Sequence, residues 1–414
     1  MNKVDKKSTA FHYRDFRLLW IATMFSSASA WALIVARGWL MYEITDGSSA
    51  WVAIVTFSAM IPRVLITPIF GYLSDKLDRK RFLAFMFAIN IVHNIFLGIL
   101  VTTDASDSVK ILFLAVLAFI NGSARAAQTS ASESLLPNLI PKKLLLNGIA
   151  WNQAALHGSR LFGPAAIAPL LSLFNLEWAF YLCSAFYVIS LIASLLISTV
   201  STGVISKNLN FFGNFIAGLN YVYKNQLLLV VVFLTFFHCG LTMSFESLLP
   251  VLSEKSFNAE GKGFSYLMMG VGAGSLLSVI TISLITKLKI NGYIYFAFGL
   301  LSGIAPILLV KSQNLNYAIF SSFIIGISQA GFMTLAHTII QSNTLDEVRG
   351  RVGAIYSVHI GGIMAIANLF NGFLDKSLGA VNLLLWGGIA FIIIMLLSVK
   401  EFNLNKLYFG KMVN

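Results

Sequence analysis

Charge is scarce in this sequence. Asp, Glu, Lys and Arg make up 11% of its 414 residues, against about 25% in an ordinary soluble domain. Hydrophobic residues reach 57% and mean hydropathy is +0.80. A water-soluble fold is thereby excluded and an integral membrane protein implied. Cysteine is nearly absent: Cys183 and Cys239 both fall inside apolar runs, so no disulfide is expected and metal chemistry has little support. There is no Ser-His-Asp set, no metal-spaced His/Cys cluster and no phosphate-cradling loop. An enzyme is not expected, and no cofactor or metal is called for. The first twelve residues are basic and polar, and no small-residue cleavage site follows the first apolar run, so no cleavable signal peptide is expected. In a soluble protein the net charge of +12 would suggest nucleic acid. Here it fits cationic loops beside a bilayer, and no nucleic-acid partner is expected.

What the chain does have is apolar length. A membrane helix needs about 20 mostly apolar residues, and the 34 phenylalanines suit lipid contact. Twelve spans are predicted, at roughly 18–42, 50–72, 82–102, 109–129, 147–172, 176–199, 226–250, 264–286, 292–310, 316–338, 351–373 and 380–399. With the N-terminus inside, the cytoplasmic loops collect Lys3, Arg14, Arg17, Lys76, Arg79, Lys80, Arg81, Lys142, Lys143, Lys287, Arg349 and Arg351, among others. The opposite side keeps Lys110, Lys255, Lys262, Lys311 and Lys376. That bias predicts a multi-pass protein of the inner (cytoplasmic) membrane with both termini cytoplasmic.

The longest break lies near 200–225. Its stretch Leu209–Tyr223 has apolar residues at helical spacing and reads as a helix along the inner surface. The expected organisation is a six-helix bundle over 1–199, a cytoplasmic linker with that interfacial helix over 200–225, and a second six-helix bundle over 226–414. The halves also share a weak repeat: Asn147 to His157 and Arg349 to His359 each place a histidine ten residues into a span. Transporters with a site at a repeat interface show such symmetry.

Between spans two and three runs Gly71-Tyr-Leu-Ser-Asp75-Lys76-Leu-Asp78-Arg79-Lys80-Arg81. This tract resembles the loop signature of the major facilitator superfamily, G-x-x-x-D-R/K-x-G-R/K-R/K, with Asp78 in place of the second glycine. The Asp78 variant, Leu136-Pro-Asn-Leu-Ile-Pro-Lys-Lys-Leu144 and Arg349-Gly-Arg-Val-Gly353 are similar to the branch of twelve-helix proton-antiport exporters that includes the enterobactin exporter. The resemblance implies an all-α membrane fold of twelve helices in two pseudo-symmetric bundles. It also implies that Gly71, Asp75, Asp78 and Arg79 form a conformational latch. In the family the aspartate and arginine meet the cytoplasmic end of the eleventh helix in one state only. A carboxylate at a helix N-terminus is favourable by about 0.3–1 kcal/mol when exposed, enough to bias a two-state equilibrium. In span five, Gly158, Gly163 and Pro164 are similar to the family's antiporter motif, although Ile167 and Ala168 replace its final glycine pair. The family's fourth-helix arginine would align with Ala118 when Gly122 is matched, so its coupling mechanism is not carried over. The second copy of the loop motif has decayed to Thr286-Lys-Leu-Lys-Ile-Asn291.

An ionisable side chain deep in a span is costly and usually faces a cavity. Arg37, Arg63 and Arg160 are such residues, on spans one, two and five. Asn90, His93 and Asn94 share a face of span three, and Gln153, His157 and Arg160 share one of span five at i, i+4 and i+7. Span ten adds Gln329 and span eleven His359. These residues form the expected substrate cavity. Each has a blander reading: Arg37 reaching Glu43 and Asp46 near the surface, Arg63 satisfying carbonyls freed by Pro62, each histidine a simple helix contact. For proton coupling, Glu246 comes first and His238 second, since a carboxylate or imidazole held from water can change charge near working pH. Three arginines against one glutamate favour an anionic substrate, because a guanidinium grips a carboxylate through paired hydrogen bonds.

The resulting expectation is a proton-coupled exporter of a small anionic, siderophore-like molecule, working as a monomer in the lipid bilayer by alternating access. A multidrug efflux pump, a lysophospholipid translocator and a static scaffold are the alternatives. A cysteine introduced as Asp75→Cys should react with a membrane-impermeant thiol reagent from the cytoplasmic side. Labelling from outside would invert the topology.

Overall fold

The computed structural model describes residues 9–66, 70, 77–199, 211–285, 292–345, 349–400, 404 and 408. Within them no strand occurs. In lipid each peptide group must bond within its own segment, and the α-helix does this over the required length. Twelve principal helices follow among the described residues: α1 Arg14–Ile44, α2 Ser49–Leu65, α3 Arg79–Thr102, α4 Asp107–Leu139, α5 Leu145–Leu173 and α6 Glu177–Leu195 make the first half. The second half holds α7 Gln226–Met243, α8 Glu260–Ile285, α9 Gly292–Val310, α10 Leu315–Ser342, α11 Arg349–Leu378 and α12 Ala380–Ser398. Between them a linking helix, Phe211–Lys224, packs on α11 and α7. Ten of the twelve are long and apolar enough to cross a membrane by length and composition. Two fall short: α2 is a short helix, and α5 carries Asn147, Asn152, Gln153, His157 and Arg160.

Local chemistry sets the helix starts. Asp78 caps α3, its carboxylate accepting from the backbone N–H of Lys80 and Arg81. Asn225 and Asn314 cap α7 and α10 in the same way. Each occupies orphan N–H groups of a first turn. The flanks turned away from the bundles are apolar, with Phe85, Val92, Leu112, Phe320, Phe370 and Trp386 exposed. This is the surface a bilayer solvates.

The contacts repeat between the halves. α3 packs on α6 as α9 packs on α12, and α2 on α4 as α8 on α10. Across the seam, α2 meets α11 and α5 meets α8. A shift of six exchanges these two pairs, the relation expected of inverted or repeated bundles about a pseudo-twofold axis. Close backbone approach makes the packing specific: a Cβ at Gly163 would collide with the backbone of Ala28 and Ala32 on α1. Small residues at such crossings drive helix association in lipid.

The core divides unequally along the membrane normal. At the proximal end, which carries the linking helix, two apolar clusters stay within their own halves. One joins Phe16, Phe82, Phe87 and Tyr187; the other joins Tyr295, Phe332, Phe391 and Met395. At the distal end a single cluster runs through both halves, from Trp39, Tyr42 and Val52 to Phe245, Phe264 and Met268. There Ser49 donates to the Asp375 carboxylate at 2.5 Å, and a Cβ on Gly372 would strike Ala53. The halves are thus joined distally. With cysteines at both positions (Ser49→Cys, Asp375→Cys), a short bifunctional thiol reagent should link the halves and arrest function. Failure to link in the resting protein would contradict this closure.

Candidate functional site

Span seven is not one continuous helix. After Gln226–His238 the chain takes a π-helical turn over Cys239–Met243, then leaves helical geometry from Ser244 to Leu248 before the short helix Leu249–Val251. Non-helical backbone at membrane depth is tolerated only where protein partners or a cavity satisfy it. The partners are specific. Asn368 on α11 accepts from Ser247 N–H at 3.3 Å, and its backbone carbonyl accepts from Ser247 Oγ at 3.0 Å. Asn371 Nδ2 donates to the Ser244 carbonyl at 2.5 Å. Gln329 Nε2 on α10 donates to the Thr242 carbonyl at 2.8 Å. Three amides therefore hold the break, and the break presents Glu246.

Glu246 enters a cavity between the halves. α1 supplies Trp31 and Arg37, α2 Thr56 and Arg63, α4 Asn121 and Arg125, and α11 Met364. The enclosed cavity is small, about 110 Å³, below the roughly 300–1,000 Å³ of a drug-sized ligand site, so cargo must widen it. Arg37 and Glu246 are each 3% exposed. Arg37 carries an Nη without a hydrogen-bond partner, and Glu246 an Oε in the same condition. Glu43 instead accepts from the Trp39 indole at 2.8 Å, so Arg37 turns inward rather than toward the surface carboxylates. Arg63 also lines the cavity, with its aliphatic stem beside Gly361 on α11.

Arg160 belongs to the same group through Trp31. Its Cζ lies 4.7 Å from the indole centroid, and that of Arg125 lies 5.6 Å away. Each such contact is worth about 0.5–2 kcal/mol. It also fixes a distance: the two guanidiniums can be no more than about 10 Å apart. Two like charges at that separation repel by about 2 kcal/mol at an effective dielectric of 20. Glu246 lies within electrostatic reach of Arg160, Arg125, Arg63 and Arg37. The cavity can therefore hold and orient an anion.

The remaining sequence candidates sort by helix face. Asn90 accepts from Asn121 Nδ2 at 2.6 Å and donates to the Met86 carbonyl, tying α3 to α4. His93 and Asn94 bond one another at 2.9 Å and are buried in α3. His238 is packed inside the second half, 2.7 Å from Ser302 Oγ and against the Phe332 ring. None of the four candidates Asn90, His93, Asn94 and His238 lines the cavity. Gln329 supports the break. His359 Nδ1 lies 2.8 Å from its own helix's Ile355 carbonyl. His157 is half-buried near Arg160, and Gln153 is exposed. Gly163 and Pro164 lie within α5, but a side chain at Gly158 would meet only Phe162 of its own helix. Of the latch, Gly71 and Asp75 lie outside the described residues. Asp78 caps α3 and pairs with Arg81 at 3.9 Å, and Arg79 donates to the Ser134 carbonyl at the end of α4 at 3.0 Å.

Arg125 and Trp31 are additions that the sequence reading did not select. An ionisable residue inside a predicted span was signal enough for Arg125. Matching on Gly122 directed attention to Ala118, whereas the arginine lies three residues after that glycine.

The sequence profile described as transmembrane secretion effector matches residues 8–408. The Staphyloferrin A transporter of Staphylococcus aureus is 21% identical over 340 residues, 80% of this chain and 82% of that protein. Macrolide efflux protein A of Enterococcus faecalis is 21% identical over 323 residues, 77% of this chain and 98% of that protein. Among solved structures, a POT family transporter in complex with 5-aminolevulinic acid superposes with a TM-score of 0.75 at 14% identity, covering 94% of this chain and 96% of that one. That likeness concerns the fold.

The substitution Asn368→Leu strands the Ser247 N–H in the break. It should cost about 1–3 kcal/mol, read as a lowered unfolding temperature in detergent. An unchanged temperature would mean that the break is held by other groups.

Proposed function

The chain belongs to the transmembrane secretion effector family of major facilitator transporters, and from that premise we propose that it exports a small anionic, siderophore-like molecule by proton-coupled alternating access. A multi-pass transporter with a small-molecule substrate follows from the family; an enzyme does not. The observation that carries the finer reading is the composition of the cavity. Arg37, Arg63, Arg125 and Trp31 line it, Arg160 stacks on that indole, and Glu246 is the carboxylate facing them. A lipophilic cation would meet repulsion there, while a carboxylate would meet charge-assisted donors. This ranks an anion above the broad drug or lipid cargo of the alternatives.

In the proposed cycle the distally joined state is loaded from the proximal side. If the loops are oriented as their basic residues indicate, that side is the cytoplasm. Parting the distal seam would then release the cargo outside. The protein acts as a monomer in the inner membrane, with no nucleic-acid partner. Glu246 is the proton-coupling group in this reading, because it stands in the cavity and joins the two halves electrostatically. His238, packed away behind Ser302 and Phe332, is the weaker candidate.

A strain lacking the gene should retain the secreted acid in its cytoplasm and lose it from the medium. Unchanged secretion with an unchanged internal pool would refute the assignment. Glu246→Gln should reach the membrane folded yet fail to restore pH-driven export. Full restoration would move the coupling role to a histidine.

A further inference from the structure

Three guanidiniums line the cavity and a fourth stands beside it on Trp31, all from the first half of the molecule: Arg37 on α1, Arg63 on α2, Arg125 on α4 and Arg160 on α5. The carboxylate within electrostatic range of them, Glu246, lines the same cavity, comes from the second half and sits on the unwound segment of span seven. Among the described residues Arg37, Arg125 and Arg160 already outnumber that one carboxylate. Nor can the single carboxylate of Glu246 bond every donor: an Nη of Arg37 and the Nε of Arg160 are buried without hydrogen-bond partners, as is one oxygen of Glu246 itself. Buried charged groups in that condition are costly and call for a counter-ion from elsewhere.

We propose that Glu246 is a tethered stand-in for the substrate, and that the substrate is a polycarboxylate whose acid groups displace it from the arginines. The inference rests on the anion-binding reading above and specifies its ligand class and its competitor. The number of positive charges argues for more than one acid group. Arg125 and Arg160 are held on one indole, with guanidinium carbons at most about 10 Å apart. A paired guanidinium–carboxylate contact spans about 4 Å between carbon centres, from hydrogen bonds of about 2.8 Å. Two acid groups on a short carbon skeleton therefore bridge the pair, and a third can meet Arg37 or Arg63. A single carboxylate neutralises one positive charge and leaves the remaining repulsion in place.

The displacement has a mechanical meaning. While Glu246 neutralises the arginines, attraction across the cavity draws the second half toward the first. Once substrate carboxylates take its place, that attraction ends and Glu246 becomes free to exchange its charge for a proton. A ligand that changes the attraction between two halves shifts their equilibrium by the corresponding difference in affinity. A monocarboxylate, which leaves Glu246 engaged, binds without releasing the halves.

Citrate serves as the tricarboxylate probe and acetate as its monocarboxylate control, measured by calorimetry on the purified full-length protein. Glu246→Gln should bind citrate at least tenfold more tightly than the unaltered protein, about 1.4 kcal/mol, with less than threefold change for acetate. Glu246→Asp, which keeps the charge, should stay near the original affinity. If the glutamine variant is not folded, Glu246→Ala removes the same carboxylate. Arg125→Gln should abolish citrate binding in either background. Equal or weaker citrate binding on loss of the carboxylate, with the arginine still required, would overturn the stand-in role and leave an anion site. No citrate binding by any variant, or preferential binding of tetraphenylphosphonium, would overturn both.

Discussion

A peptide group without a partner cannot be left in hydrocarbon, and the site of this protein is organised around that restriction. Span seven gives up helical geometry at Ser244–Leu248. The orphaned groups are taken up by Asn368, Asn371 and Gln329 from the two neighbouring helices. The irregular stretch is consequently as determined as a helix would be, and it places a carboxylate where no regular turn would. Buried amides at these depths are expensive unless satisfied; here each is spent on backbone rather than on a ligand. The polar residues of α10 and α11 are thus structural supports for a functional residue on another span.

Electrostatics then assigns different tasks to the two halves. The first half places cations on four helices, two of them, Arg125 and Arg160, against the Trp31 indole. The second contributes a carboxylate on the unwound segment of span seven. Neither half balances its own charge in the cavity, so the balance depends on their relation to each other. The apolar cores have the same logic. Each half keeps a separate cluster at the proximal end, and both share one at the distal end. A seam that is greasy at one end and charged in the middle can hinge without breaking either bundle.

Much of this was legible in the sequence, and the rest failed for identifiable reasons. Span positions follow from hydropathy, because lipid imposes one length and one secondary structure. Arg37, Arg63, Arg160 and Glu246 stood out since an ionisable group in an apolar run is costly wherever it points. Direction was the missing information. Asn90, His93, Asn94 and His238 have the same depth and polarity as cavity residues, yet they face helix seams. Arg125 went unselected because a glycine-based register was followed in preference to the simpler signal of charge inside a span. The break in span seven has no strong local marker; Ser244 and Ser247 flank Glu246, and their partners lie more than a hundred residues away.

The distal cluster has one further consequence. Trp39, Tyr42, Phe245 and Phe264 meet through contacts that have no preferred direction. Prying them apart would wet a broad aromatic patch, and water favours its reclosure. An empty carrier opened at that end would therefore snap shut unaided, like a door on a spring. Its resting posture between rounds would be the one ready to take on the next passenger.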